Sequence, residues 1–158
     1  MSGGDANREP STEPIAFHFS IEEDVRFRDL DALGHVNNAV YLTYFEQARI
    51  AYFQHLGWTW PQRAEEWFFI LAEARCTYRS AARLGERLRI SVAVSDVGRS
   101  SFRMRYRIAE VSAGRLVAEG ETVQVAYDYE QHRSVPLPDD VRRRLAEFEG
   151  RPEWLPTV

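Results

Sequence analysis

Apolar residues alternate with polar ones along most of this chain, and one long stretch repeats them instead at steps of three and four. Between Ala16 and Phe27, Phe17, Phe19 and Ile21 fall on one face, and Val25 and Phe27 resume after Glu22-Glu23-Asp24. This predicts a strand, a turn or bulge, and a second strand segment. From about Ala39 the period becomes helical. Tyr41, Tyr44, Phe45, Ala48, Ala51, Tyr52, His55 and Leu56 form an apolar stripe, with Gln47, Arg49 and Gln54 off it. Asn37 or Asn38 can cap the start and Gly57 can stop the end. A helix of about eighteen residues is ~27 Å long, the longest periodic element in the chain.

Trp58-Thr59-Trp60-Pro61 breaks the period, and a loop or helical turn is expected up to Glu66. Alternation then returns. Phe68 to Tyr78 reads as a mostly apolar strand, and Leu88, Ile90, Val92 and Val94 as the inward face of the next. Phe102, Met104, Tyr106 and Ile108 face inward from a third, with Arg103, Arg105 and Arg107 on its other side, and Val123, Val125 and Tyr127 end a fourth. Leu84-Gly85-Glu86, Val97-Gly98-Arg99 and Ser112-Ala113-Gly114 supply the turns. A short helix over Asp139 to Phe148 closes the domain. The predicted organisation is a disordered polar leader over 1–14, one domain over 15–148 and an irregular tail over 149–158. A strand, a long helix and four antiparallel strands make an α+β architecture.

Composition narrows the function classes. The 158 residues, 44% hydrophobic and 13% aromatic, fit one domain with one sizeable core. A net charge of −4 argues against a nucleic-acid partner. All twenty basic residues are Arg, which excludes a lysine Schiff base and a Walker-type phosphate lysine. Cys76 is alone, so neither a disulfide framework nor a cysteine-rich zinc site is expected. No apolar run is long enough to span a membrane, and the first residues do not read as a signal peptide. A cytoplasmic protein without a metal or cofactor is the expectation.

Reactive side chains concentrate before the long helix. Asp29, Asp31, His35, Asn37 and Asn38 lie within ten residues, just ahead of exposed helix amides that favour developing negative charge. An ester or thioester carbonyl there would find an oxyanion site, and a nearby carboxylate could attack it or activate water. Each residue also has an ordinary reading as a cap or turn former. If the first strand ran on through Asp29, Asp29 and Asp31 would share a face; spacing alone does not choose between them.

The string Val25-Arg26-Phe27-Arg28-Asp29-Leu30-Asp31-Ala32-Leu33-Gly34-His35-Val36-Asn37-Asn38-Ala39-Val40-Tyr41-Leu42 resembles the opening motif of hotdog-fold acyl-CoA thioesterases of the 4-hydroxybenzoyl-CoA thioesterase type. The likeness continues through Tyr44-Phe45-Glu46-Gln47-Ala48-Arg49, and Tyr78, Leu84-Gly85-Glu86, Gly98-Arg99-Ser100-Ser101-Phe102 and Ala118-Glu119-Gly120 follow in the family's order. The resemblance implies a long central helix wrapped by a curved antiparallel sheet. It implies hydrolysis of an acyl- or aroyl-CoA to free acid and CoA, with CoA as part of the substrate rather than a cofactor.

The resemblance also implies roles. Asp31 would be nucleophile or general base, the amide of Asn38 or its neighbour would polarise the carbonyl, and His35 would orient substrate or water. Asn37, Glu46, Arg99, Ser100 and Ser101 would contact substrate, with Glu46 reaching a partner subunit's site or serving as a polar anchor. Leu33 stands where some relatives place a polar residue that completes an Asp-Asn-His network with water. A leucine side chain cannot hydrogen-bond, which leaves direct attack by Asp31, or water held by Asp31 and His35. In the family one subunit's helix start faces another's sheet, so a homodimer or homotetramer is implied. The alternatives are a non-catalytic acyl-CoA or acyl-carrier binding module, and a hydratase or dehydratase of the same fold.

Overall fold

The computed structural model describes residues 13–58 and 69–157. Most of the expected leader and the loop or turn expected from Thr59 up to Glu66 lie outside them. The elements run β1 (Phe19–Asp24), a 3-10 turn (Phe27–Asp29), α1 (Val40–His55), β2 (Phe69–Tyr78), β3 (Arg87–Val97), β4 (Ser101–Glu110), β5 (Leu116–Asp128), β6 (Arg133–Ser134) and α2 (Asp139–Glu149). One antiparallel sheet has the order β1-β3-β4-β5-β2, and β6 pairs with β5. The strand, helix and four-strand order read from periodicity is thus the observed one.

The sheet packs on α1. Leu88, Ile90, Val92 and Val94 of β3 and Phe102, Met104, Tyr106 and Ile108 of β4 are all buried, as their alternation predicts. They meet Tyr41, Tyr44, Phe45, Ala48, Tyr52, Phe53 and Leu56 in one core cluster. Three assignments on and off the stripe change. His55 is exposed and Ala51 half-buried, whereas Arg49, expected off the stripe, is buried. β5 also turns the other way from what its apolar residues invite. Thr122 and Gln124 pair with Met104 and Phe102 and share their inward face, so Val123 and Val125 face out with Arg103 and Ser101. Gly120 sits where a side chain has no room. A Cβ there would run into the Phe45 ring and stand 2.7 Å from the Arg75 carbonyl oxygen. Its absence lets Phe45 stack on Tyr106 with centroids 4.5 Å apart.

The chain after β1 departs from the expected second strand segment. The Arg26 N–H donates to Asp29 Oδ2 at 3.0 Å and its guanidinium to Asp29 Oδ1 at 3.2 Å, which closes a 3-10 turn. Asp29 is therefore buried, not aligned with Asp31 on a strand face. The helix begins at Val40 with Ala39 at the cap position; Asn37 Oδ1 accepts from the Ala39 N–H at 2.9 Å, one residue short of a cap on the helix itself. Gly57, at φ +88°, ends α1 as expected.

The tail also differs from the irregular segment expected over 149–158. Glu149 is the last residue of α2, and Pro152–Trp154 form a 3-10 turn that buries Trp154. Glu149 Oε1 accepts from the Tyr52 hydroxyl at 2.7 Å and from the Val94 N–H at 3.2 Å, so it ties α2 to both α1 and β3.

Candidate active site

The site is assembled by backbone hydrogen bonds between Asp29 and Ala39. The Asp31 N–H donates to the His35 carbonyl at 2.8 Å, and the Gly34 N–H, at φ +78°, donates back to the Asp31 carbonyl at 3.1 Å. Asp31 Oδ1 accepts from the N–H groups of Leu33 at 2.9 Å and His35 at 3.3 Å. Among the described residues Oδ2 has no such partner. The carboxylate is thus held by one oxygen and free at the other. The Val36 N–H bonds Ala82 and the Asn37 N–H bonds the Asp29 carbonyl, which anchor the loop on both sides.

Asp29 and Asp31 have separate fates. Asp29 accepts from Arg26 and, at 2.9 Å, from the Tyr44 hydroxyl. Burial works to raise its pKa, but the Arg26 N–H, the Arg26 guanidinium and the Tyr44 hydroxyl together hold its carboxyl below the ordinary value. Burial, with Asp29 beside it, pushes the Tyr44 phenol well above its usual range. Asp29 is a buried tie between loop and helix.

Asp31, His35, Asn38 and Tyr41 border a depression of about 430 Å³, closed on the other side by Tyr78, Arg79 and Ser80. The Tyr78 hydroxyl donates to the Asn38 carbonyl at 2.9 Å and its ring lies edge-on to Tyr41 with centroids 5.2 Å apart. The Asn38 N–H has no acceptor among the described residues. A carboxylate oxygen and a main-chain donor are therefore both uncommitted around one depression. That is the equipment for activating a nucleophile and stabilising an oxyanion. Among the described residues no group of three or more His, Cys, Asp or Glu side chains is placed to hold a metal ion.

Residues 25–145 match the thioesterase-like superfamily over most of the chain. The chain belongs to that superfamily. Its fold is the hotdog, a helix wrapped by a curved antiparallel sheet, and its class is that of the thioester hydrolases. Among solved structures this superfamily member is similar to a thioesterase from Thermus thermophilus complexed with coenzyme A and Zn. The two are 41% identical with a TM-score of 0.75, over 86% of this chain and 98% of that one. It is also 31% identical to the acyl-CoA thioesterase YbgC of Haemophilus influenzae, over 78% of this chain and 91% of that protein. The uncharacterized protein YsmA of Bacillus subtilis is 32% identical over 82% of this chain and 86% of its own length.

In this thioesterase-like chain the structure gathers Asp31, His35 and Asn38 around one depression, with Asn37 holding the adjoining turn. It does not bring the other expected contacts there. Glu46 lies on the flank of α1 beside a second cavity. Arg99 and Ser100 lie in the β3–β4 turn and Ser101 begins β4; the Ser100 carbonyl accepts from Ala126, the Arg99 carbonyl from Leu137, and Arg142 bonds the Gly98 carbonyl. Ser101 stands seven residues up β4 from Ile108, whose neighbour Ala118 pairs with Tyr78, a span of ~23 Å. Arg103 forms a shielded ion pair with Glu121. Arg105 donates to the Glu13 carbonyl at 2.7 Å.

Tyr78, Arg79 and Ser80 border the depression without having been singled out for chemistry. Their signal in the sequence is weak, because only the antiparallel register of β2 on β5 carries the end of β2 to the start of α1. Cys76 is half-buried, and burial pushes its thiol pKa up, the wrong direction for a nucleophile. Trp58 packs on Phe53 and Phe69 as part of an aromatic cluster.

Proposed function

We propose that this protein hydrolyses acyl-CoA thioesters to free acid and CoA, with Asp31 as nucleophile or general base. The observation that carries the reading is the half-committed Asp31 carboxylate beside the uncommitted Asn38 N–H. The thioester carbonyl oxygen accepts from the Asn38 amide, where the helix N-terminus favours the charge that develops on it. In the direct route an Asp31 oxygen bonds the carbonyl carbon, the C–S bond breaks to release CoA thiolate, and water then cleaves the mixed anhydride. In the general-base route Asp31 takes a proton from water as that water attacks the same carbon, and the C–S bond then breaks to release CoA, whose thiolate recovers the proton. His35 orients substrate or water in either route. The similarity to acyl-CoA thioesterases supports CoA as the thiol.

The assembly we infer is a homodimer or homotetramer. Arg99, Ser100 and Ser101 are remote from Asp31 within one protomer, so they serve the same substrate only from a second copy. A single half-buried cysteine is in keeping with a cytoplasmic setting; among the described residues no helix is long and apolar enough to cross a membrane.

The decisive experiment is turnover of an acyl-CoA panel followed by thiol release, with Asp31→Asn beside the wild type. Loss of release by at least ~10³-fold in a variant that folds and still binds CoA is the expected result. Ligand binding without any turnover by the wild type would make the protein a binding module instead.

A further inference from the structure

A second cavity, of about 260 Å³, lies between the flank of α1 and the start of β2. Its walls are mostly apolar, from Ile50, Phe53, Phe69 and Leu71, and its polar members are Arg49 and Gln124, with Glu46 at the rim. Resting on the acyl-CoA reading above, we infer that this cavity receives the far end of the acyl group and that this end carries a carboxylate.

Arg49 carries the argument. It is only 9% exposed, yet its guanidinium is poorly matched. One nitrogen, Nη1, donates to the Tyr106 hydroxyl at 3.1 Å. Among the described residues the nearest carboxylate, Glu46, is 3.9 Å from Nη2, beyond hydrogen-bond length, and its side chain is 60% exposed. A guanidinium has five N–H donors, and a buried cation ordinarily has a close anion. Here, among the described residues, one neutral oxygen is its hydrogen-bond partner, and the side chain lines the cavity.

The guanidinium is also held in place. Tyr106 shares a hydrogen bond of 2.7 Å with Thr122 Oγ1, which in turn accepts from Gln124 Nε2 at 2.8 Å. All three are buried on the inward face of the sheet. A rigid planar fork with free donors selects a carboxylate, which it can bind through two parallel N–H···O bonds.

The walls and the volume complete the description of the ligand. Ile50, Phe53, Phe69 and Leu71 call for an alkyl or aryl stem behind the carboxylate. Sites that take up a whole small ligand hold ~300–1,000 Å³, so this cavity fits one end of a longer molecule. Arg49 is nine residues beyond Val40, ~14 Å along the helix axis. An acyl group with its thioester at the helix start and its far end on Arg49 of the same protomer therefore needs a medium-length spacer.

The test compares hydrolysis of medium-chain acyl-CoAs of equal length ending in a methyl group or a carboxylate. The wild type is expected to favour the carboxylate-ended substrate in kcat/KM by at least about tenfold. In Arg49→Met that ratio should fall to about one. Leu71→Trp, which fills the cavity from its exposed rim and leaves Arg49 in place, should lower the ratio as well and carries the test if Arg49→Met does not fold. A wild type without the preference, or variants that keep it, would overturn the inference. If no acyl-CoA is cleaved at all, the proposed activity fails, and calorimetric titration with a free medium-chain dicarboxylic acid decides this inference by itself. Binding by the wild type that Leu71→Trp abolishes supports the site; no binding overturns it.

Discussion

Two aspartates two positions apart do different work because their neighbours differ. Asp29 is enclosed by Arg26 and Tyr44, whereas among the described residues Asp31 is held by backbone N–H groups alone. Asp29→Asn should destabilise the fold by ~1–3 kcal/mol, since a buried ion pair and hydrogen bond lose their charge. The folded-state pKa of Asp29 lies below its unfolded value. Its contribution is therefore complete above the unfolded carboxylate range and is lost as pH falls through the folded pKa. Denaturant titrations of both proteins between neutral and acid pH should show a flatter acid limb in Asp29→Asn; identical limbs would count against the tie. Tyr78 yields a prediction of another kind. Its hydroxyl holds the Asn38 carbonyl, so Tyr78→Phe should lower kcat several-fold with little change in KM or melting temperature. A change confined to KM would mean that it serves binding alone.

At the scale of elements, two junctions can be probed. Gly120→Ala places a methyl against Phe45 and the Arg75 carbonyl, and should cost ~1–3 kcal/mol in chemical denaturation. Glu149 joins α2 to α1 and β3, and burial raises its carboxyl pKa against the hydrogen bonds from Tyr52 and Val94. Its sign is opposite to that of Asp29: the contribution is present below the unfolded pKa and is lost as pH rises through the folded pKa. Glu149→Gln keeps an acceptor for both donors. Melting temperatures taken across that pH range should therefore fall less steeply in Glu149→Gln than in the wild type.

These junctions also mark where the sequence could be read and where it could not. β3 and β4 alternate cleanly, so their faces were legible. β5 was not, because its inward face consists of Ala118, Gly120, Thr122, Gln124 and Ala126 while its valines face out. Small and polar residues there leave room for Phe45 and build the chain of hydroxyls under Arg49, and neither need has a period. The 3-10 turn was hidden for a similar reason, since only the Arg26–Asp29 contact stops the alternation of Val25 and Phe27. The loop residues Asp31, His35 and Asn38 stood out because reactive types crowd before a helix. Their closure by Tyr78 depends on a sheet register that no local pattern encodes.

At the scale of the whole molecule, one protomer carries the pieces of a site without joining them. Sedimentation equilibrium should return at least twice the 18.3 kDa chain mass, and a monomer that hydrolyses thioester would remove the argument for a shared site. The clamp on Asp31 has a different consequence. The groups that fix this carboxylate are main-chain N–H groups, which almost any residue supplies, so the reactive end of the protein is insensitive to the identity of its neighbours. The cavity beside α1, by contrast, is defined by side chains. Chemistry and selectivity are thereby encoded in separable parts of the chain. Randomising Ile50, Phe53 and Leu71 together is a route to new acyl preferences in which the geometry around Asp31 is inherited unchanged.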